Sequence, residues 1–288
     1  PEPAGGLRAE GGGRAPPMDP RPLSASRTQP GSGCGSSRRG PAEPGDLDDH
    51  FRVVIRVRPP LERELVSPVW QNIVAVSGTT EICLSEVVAE ASAGDRASGS
   101  SQVVTNHSFT FDCVYDQDSS QPDVYENTAR ASALSTLQGY NATILAYGPT
   151  GTGKTYTMEG VRSGQSKGRG IIPRSMEEIF QHIRSCRGPQ PRFLVRASYL
   201  QIYNEILSDL LKPDRSHLVI REDRRRGVFV EGLSEWLCRS PGEVQTLMER
   251  GSAARATAQT AANDASSRSH AVFIVIVEQT ESGDEASD

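Results

Sequence analysis

Gly148, Pro149, Thr150, Gly151, Thr152, Gly153, Lys154 and Thr155 spell GPTGTGKT, the spacing GxxxxGK followed by Ser or Thr. Each position has a physical task. Glycines carry no Cβ, so their backbone N–H groups can converge on phosphate oxygens, and a helix starting at the last glycine turns its positive end toward them. Lys154 is placed to reach the β- and γ-phosphates of a nucleoside triphosphate, and the Thr155 hydroxyl to occupy one position on Mg2+. Pro149 cannot donate a backbone N–H, but it lies outside the glycine pair. The bland alternative is an accidental glycine-rich turn.

A second concentration of chemistry lies at 263–270, reading NDASSRSH. Asn263, Ser266, Ser267 and Arg268 combine hydroxyls that can hold Mg2+ or a lytic water with a guanidinium that can latch onto a carboxylate. Such a loop can sense a γ-phosphate. The same composition also describes a serine-rich loop capping a helix. Arg56 and Pro59, taken alone, read as a strand end with a solvated arginine. Arg221, Arg224, Arg225 and Arg226 make a basic tip between two apolar runs, either a solvated turn or a contact for an acidic surface. No NKxD segment that would read guanine occurs, which argues against GTP.

The phosphate loop requires a strand before it and a helix after it. Residues 142–147, ATILAY, are apolar and are expected to form that strand, buried, with the helix beginning at Gly153. Further upstream, the β-branched run at 51–57 stops at Pro59-Pro60 and reads as the first strand. Residues 73–88 suit a short hairpin, 89–102 a small, polar surface insertion, and 108–111 a resumed strand. After Pro122, the residues Val124, Tyr125, Ala129, Ala133, Leu134 and Leu137 fall near helical spacing until Gly139. Downstream the pattern predicts a helix from Pro173 to about Cys186, a strand over 193–203 and a hairpin from 218–220 and 228–230. Ser240 and Glu243 have capping-box spacing at the start of a helix that Gly251 is expected to end. A strand over 271–277 follows, then an acidic tail that reads as a loop or frayed end. Helices interleaved with strands imply an α/β domain.

The formal charge of -5 comes from 36 acidic and 31 basic residues mixed along the chain, so there is no overall polycation for nucleic acid or an anionic membrane. The five cysteines are scattered without a CxxC pair, which suits a reducing cytosol. No apolar run approaches the roughly 20 residues a bilayer span needs. A soluble cytoplasmic protein is expected, with no nucleic-acid partner and no membrane insertion. Residues 1–49 are rich in Gly, Pro, Ser and Arg and read as a disordered leader to a folded domain at 50–288. The first residue is Pro1, which suggests a fragment.

These stretches together resemble a kinesin motor domain. NDASSRSH is similar to the kinesin switch I motif NxxSSRSH, and GPTGTGKTYTMEG to the family's phosphate loop, with the usual GQTGxGKT changed at Pro149. VVIRVRPP, FTFDCVYD, QGYNATILAYG, GIIPRSMEEIF, SYLQIYNEILSDLL and IREDRRRGVFVEGL extend the resemblance over about 51–277 in the family's order. The motif style is closest to plant and protist kinesins of the armadillo-repeat type. The resemblance implies an α/β P-loop NTPase fold with a central, mostly parallel-mixed sheet flanked by helices. It also implies a microtubule-associated motor of the cytoskeleton that couples hydrolysis of ATP, held with Mg2+, to movement. Arg56 and Pro59 would flank the adenine, and Tyr156 stands where the family often has an aromatic or His on the base. Asn263, Ser266, Ser267 and Arg268 would sense the γ-phosphate, with Ser267 near Mg2+ and Arg268 awaiting a carboxylate. The tip at Arg221, Arg224, Arg225 and Arg226 sits where kinesins present a hairpin to the microtubule.

The family's second switch, a strand ending in DxxGSE, has no counterpart, since no DxxG occurs. The chain therefore reads as the N-terminal portion of a motor domain, incomplete at the C-terminus and able to bind ATP. Two other readings compete: an unrelated P-loop ATPase, and a non-motile truncated module that docks on microtubules or on a partner motor.

Overall fold

The structure, a computed structural model, describes residues 51–89, 102–161, 166–186, 192–224, 227–261 and 268–280. The chain divides into two units. Pro1–Gly35 lies outside the described residues, as does the whole expected leader, and every described residue belongs to Ser36–Asp288.

The expected long strand forms as β6 (Arg192–Tyr203) and organises the largest sheet. β11 (Ser269–Thr280) runs antiparallel along all of it, from Ser269 opposite Tyr203 to Thr280 opposite Arg192. Two strands share the other edge. β10 (Trp236–Cys238) pairs with 195–197, and β7 (Ile206–Asp209) with 200–203. β8 (Ser216–Asp223) and β9 (Gly227–Glu231) then extend the sheet as the expected hairpin. Successive strand residues point to opposite faces, and 197–201 are buried without a break, so β6 is covered on both faces at its centre.

β2 (Val74–Ser77), β3 (Glu81–Ala89) and β4 (Gln102–Thr110) form a separate antiparallel meander. β1 (Val54–Arg56) pairs in parallel with β5 (Cys113–Tyr115), and this pair is the parallel component among the described ladders. α1 (Glu62–Leu65) follows β1; its Glu64 carboxylate is held at about pKa 2 by hydrogen bonds from Arg58 and then from the Leu61 N–H.

α5 (Ile171–Ser185) and α6 (Pro241–Ala261) cover β6. Met176, Ile179 and Phe180, at helical spacing on one face of α5, meet Val244 and Leu247 of α6 and Val195, Ala197 and Tyr199 of β6 in the main core. Burying each large apolar side chain of this kind contributes roughly 1.5–3 kcal/mol. The helix expected after Pro122 is a consecutive run: α2 (Gln121–Val124), a π turn (Tyr125–Ala129), α3 (Arg130–Ser135) and a 3-10 turn (Thr136–Gln138), closed by Gly139 at φ 92°. Glu178 docks this run on α5, accepting from Tyr125 Oη at 2.7 Å and Arg130 Nε at 2.6 Å.

Two expectations are corrected. Residues 142–147 do not form a buried strand. Ile144 packs against Tyr125, Ala129 and Ile171, but Leu145 and Tyr147 are 82% and 94% exposed. Apolar composition alone does not make a strand; a ladder partner is needed, and no described strand pairs with this segment. Nor does Gly251 end its helix, for α6 runs on to Ala261. The φ of Gly251 is not positive, as a left-handed cap would require. Its role is close approach: a Cβ there would lie 2.2 Å from Tyr199 Cδ1.

Gly251→Ala therefore forces helix and sheet apart despite the better helix propensity of Ala, worth about 1 kcal/mol. Net destabilisation of about 1–3 kcal/mol is expected, read as a lowered thermal midpoint; an unchanged or raised midpoint would show that the contact yields freely.

Candidate functional site

The loop at 148–155 leads directly into α4 (Lys154–Met158). Gly148, Gly151 and Gly153 take φ of 148°, 88° and 94°, values that L side chains rarely adopt. Around Gly151 and Gly153 the space is open, an added Cβ meeting nothing within 4 Å, whereas at Gly148 it would meet Thr152 Oγ1 at 2.9 Å. The Pro149 carbonyl is the pivot of the turn. It accepts from Thr152 Oγ1 at 2.8 Å and from Lys154 Nζ at 2.9 Å, and Lys154 Nζ also donates to Gly148 O at 2.7 Å. The ammonium is thus bonded to neutral carbonyls, and a phosphate would offer it stronger, charge-assisted bonds. Open glycines, a free helix start and this ammonium together fit a phosphate group. Thr150 lies in the turn, and Thr155 is exposed on the first turn of α4.

Arg56 and Tyr156, 100 positions apart in sequence, are brought together. The Arg56 guanidinium lies 5.1 Å from the centroid of the Tyr156 ring, and its Nη1 donates to Thr157 Oγ1 at 3.0 Å and Gln121 Oε1 at 2.9 Å. Burial holds the Arg56 pKa below its usual value, opposed by Tyr156 and Tyr115. β1 fixes the arginine through its parallel register, with Arg56 opposite Tyr115 and Val57 N donating to Tyr115 O at 2.8 Å. Pro59 is exposed, and its carbonyl accepts from Arg58 Nη1 at 3.0 Å. Gln121 had no signature in the sequence. The useful signal would have been a polar side chain at a buried first helical turn, which cannot be known before burial is.

Asn263, Ser266 and Ser267 lie outside the described residues, and Arg268 is exposed at the entry to β11. One face of α6 carries two polar contacts, to Glu159 and to the start of β11. Ser252 Oγ donates to Glu159 Oε2 at 3.1 Å, and Arg255 Nη2 donates to Ser269 O and Oγ, each at 3.0 Å. Glu159 directly follows α4 and accepts from Tyr199 Oη at 3.2 Å. Burial, and next the Glu159 charge, push Tyr199 up to about 12, so its hydroxyl stays a donor at neutral pH.

In the basic hairpin, Arg221 Nε is paired with Glu231 Oε2 at 3.0 Å across β8 and β9, which tempers its contribution to an open basic tip. Arg224 is exposed in the turn, while Arg225 and Arg226 lie outside the described residues. No helix among the described residues is long and apolar enough to cross a membrane.

The family model of the kinesin motor domain matches residues 56–288. This chain belongs to the kinesin motor domain family. Kinesin-like protein KIF3C of Mus musculus is 45% identical over 181 residues, covering 62% of this chain and 22% of that protein. Kinesin heavy chain of Gibberella moniliformis is 45% identical over 172 residues, 60% of this chain and 18% of that protein. The chain thus spans about a fifth of the length of the curated relatives it matches. A solved structure of a fast kinesin, described for its ATPase mechanism and interactions with microtubules, aligns with a TM-score of 0.68 at 38% identity, covering 80% of this chain and 60% of that one. The kinesin motor fold is a P-loop NTPase fold, so the family binds nucleotide, and an unrelated phosphate-loop ATPase is set aside.

Within this kinesin fold, the raised pKa of Tyr199 makes a testable contribution to stability. A phenol whose folded pKa is about 12 against an ordinary 10.0 contributes stability that is complete below pH 10 and lost as pH rises through 12. Tyr199→Phe should flatten the fall in urea midpoint between those values. Part of the slope should persist, because burial also raises Tyr115, to about 12, and Tyr125.

Proposed function

We propose that this chain is the nucleotide-binding part of a microtubule-dependent ATPase motor that takes ATP with Mg2+. One observation carries the reading: an open glycine turn, a helix start and the Lys154 ammonium converge at 148–155 in a chain of the kinesin family. Lys154 exchanges the Gly148 and Pro149 carbonyls for the β- and γ-phosphates, a change from neutral to charged acceptors. Backbone N–H groups of Gly151, Thr152 and Gly153 hold the phosphate oxygens without needing a side-chain charge. Thr155 and Ser267 would hold Mg2+, which neutralises charge on the phosphates and orients them for in-line attack. Asn263, Ser266 and Arg268 would complete a γ-phosphate sensor. Arg56, Pro59 and Tyr156 would flank the adenine. Arg224, Arg225 and Arg226 would face the acidic surface of the microtubule, a partner that places the protein on the cytoskeleton.

Lys154→Ala should lower ATP affinity by roughly a hundredfold or more, since at least two charge-assisted bonds are lost; fluorescent-ATP titration with unchanged affinity would sink the pocket assignment. Replacing Arg224, Arg225 and Arg226 with Ala should weaken microtubule co-sedimentation most at low salt, whereas Arg221→Ala should have a smaller effect because Glu231 already neutralises that charge. Equal co-sedimentation across salt would remove the tip from the interface. Microtubule-stimulated phosphate release separates a motor from a non-motile docking module, which would co-sediment without stimulation.

A further inference from the structure

Gln121 is 4% exposed and sits at the first position of α2, behind the Ser120 cap. Both ends of its amide are engaged across long sequence separations. Oε1 accepts from Arg56 Nη1 at 2.9 Å, and Nε2 donates to the backbone carbonyl of Tyr156 at 2.6 Å. The orientation is fixed by chemistry, because a guanidinium only donates and a carbonyl only accepts. The Tyr156 carbonyl is available because α4 ends early. In a continuing helix it would accept from Gly160 N, but that N–H goes to Thr155 O at 3.3 Å instead. One buried amide therefore ties β1, α2 and α4 together beneath the Arg56–Tyr156 pair. It touches no part of the phosphate loop that would hold phosphate.

We propose that Gln121 is a positioning residue for the nucleobase: it locks Arg56 against Tyr156 as a preformed stacked platform, and acts on the base of a nucleoside triphosphate rather than on its phosphates. This rests on reading 148–155 as the phosphate site. A side chain that stacks well only when oriented gains from being held in place before the base arrives. Arg56 alone has many rotamers; bonded to Gln121 and Thr157, it has one. Loss of the amide leaves Arg56 and the Tyr156 carbonyl each short of a buried partner and loosens the platform, while Lys154 and the glycines keep their own bonds.

The test measures binding of ATP and of inorganic tripolyphosphate, which lacks a base, by calorimetry on the full chain. Gln121→Leu, of similar volume, should lower ATP affinity about tenfold, as expected for a hydrogen bond to a charged group, and leave tripolyphosphate affinity unchanged. Gln121→Glu keeps an acceptor for Arg56 and should lose less, which also guards against a Leu variant that fails to fold. Combined with Arg56→Ala, Gln121→Leu should add little to the loss from Arg56→Ala alone, since one acts through the other. Wild-type ATP affinity in Gln121→Leu, a matching loss for tripolyphosphate, or additive losses in the double variant would each overturn the proposal. Failure of the unaltered chain to bind either ligand would instead overturn the phosphate site, and this proposal with it.

Discussion

The side chain of Tyr199 stands where four elements must agree. Its ring meets Phe273 of β11 edge-on, with centroids 5.3 Å apart, and lies so close to Gly251 that α6 has no room for a methyl there. Its hydroxyl reaches Glu159 at the end of the phosphate-loop helix. The ring is 4% exposed, so the apolar part favours burial while the polar end requires a partner. Glu159 supplies that partner and is joined by Ser252 of α6. The main sheet, the long helix and the end of the phosphate-loop helix thereby meet at one side chain.

That constraint matters because α4 is too short to hold itself. A helix of five residues gains little from its own hydrogen bonds against the cost of nucleation. Its placement comes from outside, at its C-terminal end, through Glu159 bonded by Tyr199 and the Gly170 N–H to Glu159 O bond of 3.2 Å; Gln121 and Arg56 meet only the Tyr156–Thr157 segment beyond the phosphate loop. The helix that follows the phosphate loop is therefore mounted on the main sheet and α6 through Glu159. The same long helix is tied to the start of β11 as well, since Ser252 and Arg255 share a face of α6 and bond to Glu159 and Ser269 respectively.

Across the sheet, charge is distributed more conservatively than the composition suggests. Arg221 answers Glu231 within its hairpin, and Arg196 of β6 is flanked by Glu235 and Glu278. Such pairs between partly exposed groups contribute little to stability, yet they cancel local potential. Basic residues that are adjacent in sequence therefore do not all present charge, and the sign of a run is a poor guide to the field above it.

Local chemistry was legible in the sequence wherever neighbours in the chain supply it. The phosphate loop is a run of glycines whose conformational needs are met by the residues themselves, and the β8–β9 hairpin, the α5 face and the start of α6 follow from spacing and caps read over a few positions. Resemblance to the kinesin family likewise rests on contiguous motifs. Tertiary structure decided the rest, because it depends on partners far apart in the chain. The apolar run at 142–147 forms no strand among the described ladders, since a strand exists only with a partner across its edge. Gly251 looked like a helix stop because glycine has low helix propensity, but the Tyr199 ring across the core makes it a contact point. Gln121 and Glu159 carry no local sign of their roles, because a buried amide or a half-buried carboxylate is defined by what surrounds it.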